Sequence, residues 1–273
     1  MTALTHVKVH LRNVAILKFS EPGGPMAAAF DPLANRLLAA MPAADLRRWR
    51  PLLAPVKLRL GQVLQEPGRI PPFAYFPTTA TVSLLYLSED GACDEIAVVG
   101  REGMVGASLY MDGESTLGRA QVQGPGEALM VPGHVLKDEF ERFTPVMHVL
   151  LRYLLARSAQ IAQTSVCNRH HPVEQRLCRR LLQGLDRQPN GELLMTHEQL
   201  GGLLGVRRES VTAAALRLQQ RGLLHYVRGH IAVLDRAGLE RHACQCNSVI
   251  DKEYRRLLPA SMAASGAAVL EAV

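Results

Sequence analysis

A group of hydrogen-bonding side chains spans residues 207–217 and contains three arginines, one glutamate and two hydroxyl residues. The apolar residues Val211, Ala214, Ala215 and Leu218 recur among them at helical spacing and would form one buried stripe. The arginines would then lie on the free face of a helix. Exposed arginines of this kind hydrogen-bond to phosphates and to base edges of nucleic acids.

A shorter helix is predicted immediately before this one, and it would position the polar face. Thr196 followed three residues later by Gln199 is a capping-box start, three leucines follow at helical spacing, and Gly205 ends the segment. Two helices joined by a tight turn form a helix-turn-helix, whose second helix enters the DNA major groove. A two-helix corner with a glycine turn also occurs without DNA binding, so the pair alone leaves this alternative open.

Two short apolar segments, Leu223 to Val227 and His230 to Leu234, follow the second helix. Arg228-Gly229 between them is typical of a two-residue hairpin turn, and Gly222 is a candidate helix C-cap. A hairpin beside the second helix predicts a winged helix-turn-helix. The predicted DNA-contacting residues are Thr196, Arg207, Arg208, Glu209, Ser210, Thr212, Arg217, Arg228 and His230.

The positive charge of the chain is concentrated in the same region. Residues 169–256 contain 15 Lys+Arg and 9 Asp+Glu, which leaves 16 of each for the rest of the 273-residue chain. The whole formal net charge of +6 therefore lies in the segment that contains the helix-turn-helix. A binding module for phosphates needs this excess, although an arginine-rich face can also be an ordinary solvated surface.

The N-terminal half has a different pattern. After a turn-rich extension, a helical segment is predicted from Asp31 to Arg50, and short apolar runs then alternate with turn signals from Val56 to Val131. This spacing favours an antiparallel roll over alternating βαβ units, so the predicted fold class is α+β. The predicted domains are an N-terminal extension (1–35), a β-roll sensor (36–143), a dimerisation helix (144–167), a winged helix-turn-helix (168–245) and a C-terminal tail (246–273).

The dimerisation helix is predicted from a long apolar pattern that follows Pro145. Apolar residues occur on more than one face of this helix. It could therefore pack on the roll with one face and on a second copy of itself with another. The alternative is a helix buried entirely within one subunit. The residues from Cys167 to Pro172 are predicted to be a hinge. The predicted interface residues are Met147, Leu150, Leu154 and Ile161.

The cysteines do not predict a disulfide framework or a metal site. The five are scattered, and Cys244-Gln245-Cys246 lacks the two-residue gap and the second ligand pair of a zinc motif, so free thiols in a reducing cytoplasm are expected. His170-His171 is similarly weak as a metal motif. No cofactor is predicted, no catalytic motif occurs, and neither a membrane span nor a secretory segment is indicated. The five are Cys93, Cys167, Cys178, Cys244 and Cys246.

Several segments resemble the Crp/Fnr superfamily of bacterial transcription regulators, from about Arg36 to Tyr254. In the C-terminal half these are VEQRLCRRLL (Val173 to Leu182), LLGVRRESVTAAALRLQQRGLL (Leu203 to Leu224) and RGHIAVLDRAGLERHAC (Arg228 to Cys244). In the N-terminal half they are LGQVLQEPG (Leu60 to Gly68) and GREGMVGASLYMDGESTLGRAQV (Gly100 to Val122), which resemble a cyclic-nucleotide-binding roll.

The resemblance implies a cytoplasmic homodimer that binds a palindromic operator on double-stranded DNA under control of a signal sensed by the roll. RNA polymerase is a further candidate partner. The family's base-contacting Arg and Glu fall on Arg208 and Glu209, which could pair with guanine and cytosine. Ala213 stands where the cyclic-AMP-responsive member has another Arg, so the operator sequence stays open. No cysteine precedes Cys93, so an oxygen-sensing iron-sulfur cluster of the family's type is not expected.

The resemblance also places the effector site at Gly106, Ala107, Arg119 and Ala120. Nucleotide-binding relatives have a Gly-Glu pair that holds the ribose hydroxyl and an Arg that neutralises the phosphate. Here Ala107 replaces the Glu, while Arg119 keeps the place of the phosphate partner. We therefore expect no ordinary cyclic AMP binding, and the effector stays open. The alternative function is a small-ligand-binding module that acts through protein contacts.

Overall fold

The computed structural model describes residues 30–87, 93–111, 116–186 and 192–259. Most of the predicted N-terminal extension, the turns predicted at Asp90-Gly91 and Asp112-Gly113, and the end of the C-terminal tail lie outside the described residues. Among the described helices, none is long and apolar enough to cross a membrane.

The helical segment predicted from Asp31 to Arg50 is divided, which corrects the prediction of one helix. A 3-10 turn (Pro32–Ala34) is followed by helix α1 (Arg36–Ala39) and helix α2 (Ala43–Trp49). Asn35 causes the first break, because its side-chain oxygen accepts from the N–H groups of Leu37 and Leu38 and so starts α1 anew. Its amide nitrogen donates to two carbonyls of the adjoining roll, at 2.8 and 3.0 Å.

Seven antiparallel strands form the predicted roll, which confirms the α+β fold class. One sheet has the order β1-β7-β3 and the other has the order β2-β6-β4-β5. Apolar side chains from both sheets, among them Leu58, Val82 and Val122, form the core between them. The strands are β1 (Ala54–Leu58), β2 (Val63–Gln65), β3 (Phe73–Pro77), β4 (Thr81–Leu87), β5 (Cys93–Val99), β6 (Gly118–Gly124) and β7 (Gly126–Pro132).

Two helices follow the roll, α3 (Gly133–Glu141) and the long α4 (Pro145–His170). The dimerisation helix predicted at 144–167 therefore continues one turn further, and the hinge predicted from Cys167 onward is shorter. Only His171 and Pro172 separate α4 from the next helix. The helix ends there because proline disfavours the helical conformation at the residue before it, and His171 is extended.

The C-terminal half contains the predicted winged helix-turn-helix. Its three-stranded sheet has the order β8-β10-β9, of which β8 was not predicted from the sequence. The elements are α5 (Val173–Leu185), β8 (Glu192–Leu194), α6 (His197–Leu204), α7 (Arg208–Gln220), β9 (Leu224–Val227), β10 (His230–Val233) and α8 (Arg236–His242).

A further helix, α9 (Cys246–Leu257), begins where the C-terminal tail was predicted, which corrects that prediction. This helix packs along α4. Its Tyr254 hydroxyl donates to Gln160 Oε1 of α4 at 2.9 Å in a buried contact. Helix α9 is therefore part of the scaffold that holds the long helix.

The roll and the winged helix-turn-helix module share a buried seam. Leu85 of β4 is 5% exposed and belongs to the apolar core of the module. Beside it, Glu95 of β5 forms an ion pair with Arg180 of α5, with 3.1 Å between Oε1 and Nε, and also accepts from the Ser83 hydroxyl. A buried ion pair requires such additional hydrogen bonds, because both charges have lost their water.

Candidate nucleic-acid interface

The turn between α6 and α7 has the geometry predicted from the sequence. The capping box is present, since Thr196 accepts from the Gln199 N–H at 3.1 Å while the Gln199 side chain accepts from the Thr196 N–H at 2.8 Å. Gly205 ends α6 in the left-handed conformation with a φ of 60°. This conformation favours glycine; a Cβ here would also lie 2.5 Å from Asp94 Oδ1 of β5, an exposed side-chain atom that would have to move aside.

The first turn of α7 presents polar side chains to solvent. Val211, Ala214, Ala215 and Leu218 are buried against the rest of the module, as predicted. Arg207, Arg208, Glu209 and Ser210 are exposed on the opposite side. Neither Arg207 nor Arg208 forms an ion pair within the described part of the chain, so both guanidinium groups are available to a partner.

Thr212 has a different environment from the four exposed residues at positions 207–210. It is half-buried, its hydroxyl donates to the Arg208 carbonyl at 3.0 Å, and the same oxygen lies 2.9 Å from His197 Nδ1. The His197 ring stacks on Tyr226 of β9 with 4.0 Å between ring centroids. Burial, and then the nearby charge of Arg208, lower the pKa of His197. Thr212 and His197 together therefore join α6, α7 and the hairpin. Sequence reasoning missed His197 because only the tertiary structure brings it there.

The hairpin β9–β10 forms the predicted wing. Arg228 and Gly229 form its tip, with φ values of 46° and 87°, as expected for a two-residue turn with both residues left-handed. The Gly229 carbonyl accepts from the Met195 N–H at 2.8 Å, which places the wing beside Thr196 at the start of α6. Thr196, Arg228 and His230 are all exposed. The structure thus brings together predicted residues from α6, α7 and the wing.

Arg217 does not share this arrangement. Its Nε donates to Glu174 Oε2 of α5 at 2.8 Å, and Arg221 contacts the other oxygen of the same carboxylate. The hydrogen bond from Arg217 lowers the pKa of Glu174. Arg217 is therefore engaged inside the module, unlike the arginines at the first turn of α7.

The predicted dimer residues on α4 divide into two groups. Leu150 is 0% exposed and packs entirely inside the protomer, so its assignment to the interface is corrected. Met147, Leu154 and Ile161 are half-buried. On α4 the exposed large apolar residues are Leu151, Leu155 and Val166, which lie on the neighbouring stripe of the helix.

The residues proposed for the effector site are packed tightly. Ala107 and Ala120 are 2% and 0% exposed, and Gly106 has a φ of 96° close to the backbone of β3. Arg119 of β6 is partly exposed, and its Nε lies 3.0 Å from Glu66 Oε2. The arginine charge is therefore already matched by a carboxylate.

A family model described as a Crp-like helix-turn-helix domain matches residues 175–242. These residues run from α5 through α8 and include α6, α7 and the wing. They form a Crp-like helix-turn-helix domain. No curated protein matches the chain. This match agrees with the Crp/Fnr resemblance of the C-terminal half, and solved structures of Crp/Fnr-family regulators share the fold.

Three of those solved structures align with this chain over nearly their whole length. A Crp/Fnr-family putative transcriptional regulator from Eubacterium rectale has 18% identity and a TM-score of 0.62, covering 76% of this chain and 96% of that one. FixK2 from Bradyrhizobium japonicum has 18% identity and a TM-score of 0.59, with coverages of 70% and 98%. A Crp/Fnr-family transcriptional regulator from Thermus thermophilus has 22% identity and a TM-score of 0.55, with coverages of 70% and 98%. At these identities the likeness establishes the fold.

Proposed function

We propose that this protein is a transcription regulator that binds a specific DNA sequence with helix α7. One observation carries the proposal. Arg207, Arg208 and Glu209 are exposed at the first turn of α7, on a helix whose opposite face is fully packed, with an arginine-tipped wing alongside. The N-terminal side chains of a recognition helix are those that reach base edges in the major groove.

The proposed division of roles follows from the chemistry of the side chains. Arg208 can donate two hydrogen bonds to guanine O6 and N7, and Glu209 can accept one from cytosine N4. Arg228 at the exposed wing tip is assigned to a phosphate contact. Arginine side chains donate hydrogen bonds to phosphate oxygens, and such contacts position a protein on the duplex without reading its sequence. Thr196 and His230 border the same surface and are further proposed backbone contacts.

We further propose that the active species is a homodimer joined through α4. The exposed positions 151, 155, 158, 162 and 165 are separated alternately by four and three residues. This spacing is the heptad seam by which two parallel helices pack together. A two-fold axis along α4 would give two recognition helices, as a palindromic operator requires.

The dimer seam can be tested at Leu155, which is 54% exposed. Leu155→Glu would bury a carboxylate between two helices, so we expect monomers in analytical ultracentrifugation. Operator affinity should fall about 100-fold or more, because the second half-site contact is no longer linked to the first. Leu117→Glu is the matched control, since Leu117 is 70% exposed on the roll and should leave the dimer intact. A dimeric Leu155→Glu would place the interface elsewhere.

The deciding experiment for the function is footprinting of genomic DNA with the full-length protein. A protected palindrome would establish sequence-specific binding, and its half-site spacing of one helical turn would support the dimer. No protein-DNA complex at any salt concentration, with or without cell extract, would reject the proposal and favour a module that acts through protein contacts. The signal that the roll would sense and any contact with RNA polymerase can be studied once DNA binding has been established.

A further inference from the structure

Three cysteines and one histidine meet where α4 approaches the link between α8 and α9. The ligand atoms of Cys167, His171, Cys244 and Cys246 all lie within 4.8 Å of one another. The sulfurs of Cys167 and Cys244 are 3.4 Å apart, and Cys246 Sγ is 3.5 Å from His171 Nδ1. The three cysteines are buried, with exposures of 0%, 7% and 2%, and His171 is half-buried.

Two local pairs build this Cys3His cluster. Cys167 and His171 are one helical turn apart at the end of α4, and the His171 N–H donates to the Cys167 carbonyl at 3.0 Å. Cys244 lies in the short link between α8 and α9, and Cys246 is the first residue of α9. The residues of each pair are close in sequence, so the local backbone sets the spacing within the pair. The packing of α9 along α4 then brings the two pairs together.

The separations fit a tetrahedral zinc site. With Zn–S bonds of about 2.3 Å and a Zn–N bond of about 2.0 Å, neighbouring ligands of a tetrahedron are about 3.5 to 3.8 Å apart. Two of the distances in the Cys3His cluster are 3.4 and 3.5 Å, and all four ligand atoms lie within 4.8 Å of one another, so small side-chain rotations would complete the geometry. Three Cys and one His are a ligand set of structural zinc sites, and four protein ligands leave no open position for catalysis.

The surroundings also suit a bound cation with thiolate ligands. Three thiolates and one Zn²⁺ carry a net charge of −1, and Arg179 of α5 is 5% exposed and interacts electrostatically with Cys167 and Cys244. Its Nε has no hydrogen-bond partner among the described residues. Gln163 Nε2 donates to Cys246 Sγ at 3.1 Å, the kind of outer contact that orients a metal ligand.

As zinc ligands, the three cysteines would be thiolates. Metal binding requires deprotonated cysteines and releases their protons to solvent.

We propose that the Cys3His cluster binds one Zn²⁺ ion per chain. Cys167 and His171 flank the end of α4, whereas Cys244 and Cys246 follow the Crp-like domain. The ion would therefore fasten the last turn of the long helix to the far end of that domain, across the two-residue link His171-Pro172. Its role is to hold the two in one orientation, and this holds whether or not the chain binds DNA.

The test uses the full-length chain, purified under reductant and treated with chelator before Zn²⁺ is added back. Native mass spectrometry should show one zinc per chain, and Co²⁺ should give the absorption bands of a tetrahedral thiolate complex. Competition with a chromophoric chelator should show binding weakened at least about 100-fold by His171→Gln or Cys246→Ser, since loss of an outer contact alone costs up to that factor. Cys178→Ala is the control, because Cys178 is buried elsewhere and should keep one zinc.

Three results would overturn the proposal. The first is no stoichiometric zinc or cobalt on the wild-type chain, which needs no variant and so does not depend on the folding of a mutant. The second is unchanged zinc affinity in folded His171→Gln. The third is a Cys167–Cys244 disulfide that forms readily in air while the reduced chain takes up no metal, which would make the pair a redox couple instead.

Discussion

Arginines of the DNA-binding module occupy two opposite environments. Arg176 and Arg180 on α5 are 6% and 2% exposed, whereas Arg207 and Arg208 at the start of α7 are exposed. The arginines of both groups carry the same charge, so charge alone does not show which of them could bind a partner molecule. What separates them is the partner: Arg176 and Arg180 bond to groups inside the chain, whereas Arg207 and Arg208 form no ion pair within the described residues.

Each of these two buried arginines on α5 has a definite partner. Arg180 faces Glu95 of the roll, and Arg176 donates to the carbonyl of Leu204 at the end of α6. These contacts hold the module against the roll and hold α5 against the end of α6. Arg217 and Arg119 are intermediate cases, because both are partly exposed and each already has a carboxylate partner.

The largest effect is expected at Arg180. Arg180→Met would leave Glu95 buried without a counter-charge, so the free energy of unfolding should fall by about 3–5 kcal/mol. Urea denaturation followed by circular dichroism measures this loss. Arg236→Met is the matched control: Arg236 is 50% exposed and paired with Asp186, so its removal should cost about 1 kcal/mol or less. Equal losses in the two variants would remove the distinction between buried and exposed arginines.

The next effect is expected at Arg208, in binding and not in stability. Arg208→Ala should weaken binding to the specific site by about 1–3 kcal/mol and relax preference at one base pair per half-site. Arg228→Ala should instead weaken all sequences alike and reduce the salt slope by about one. Quantitative gel shifts on specific and random DNA separate the two. If Arg208→Ala weakened both DNAs equally, its role would be a phosphate contact.

A smaller effect is expected at Glu174, which holds Arg217 and Arg221. The hydrogen bond from Arg217 lowers the pKa of Glu174 below its ordinary 4.5, so this carboxylate stabilises the fold above that pH. The contribution is lost as the pH falls through the lowered folded-state pKa. Because the arginines are exposed, Glu174→Gln should cost about 1 kcal/mol or less at pH 7. Urea denaturation should show the difference from wild type shrinking at pH values below 4.5, and a difference independent of pH would contradict this assignment.

No effect is expected from cyclic nucleotides. Ala107 supplies no carboxylate for a ribose hydroxyl, and Arg119 is paired with Glu66. A site that depends on such a hydrogen bond loses much of its affinity without it. Calorimetry with cyclic AMP and cyclic GMP should therefore detect no micromolar binding, and operator affinity should not change. Micromolar binding that Arg119→Ala abolishes would restore the ordinary cyclic-nucleotide switch.

The sequence predicted local features well because local interactions determine them. The capping box at Thr196, the left-handed Gly205 and the hairpin turn at Arg228-Gly229 are set by neighbours within a few residues, and the structure confirms all three. The antiparallel roll was also predictable, since strands and turns alternate along the chain.

Features that depend on distant residues were not predictable. Leu150 looked like an interface residue by spacing, but it is fully buried inside the protomer. Cys244 and Cys246 lacked a second ligand pair in sequence, and the pair that meets them includes Cys167, 77 residues before Cys244. Nothing in the order of residues indicates that α9 returns to α4 and closes this cluster.

The ion pair between Glu95 and Arg180 also limits how freely the two halves of the molecule can be recombined. In a chimera that joined this roll to the DNA-binding half of another regulator, Glu95 would remain buried without its guanidinium unless the donor supplied an arginine at the same turn of α5. The two halves are thus matched at this contact, and exchanging one alone would require changing the other.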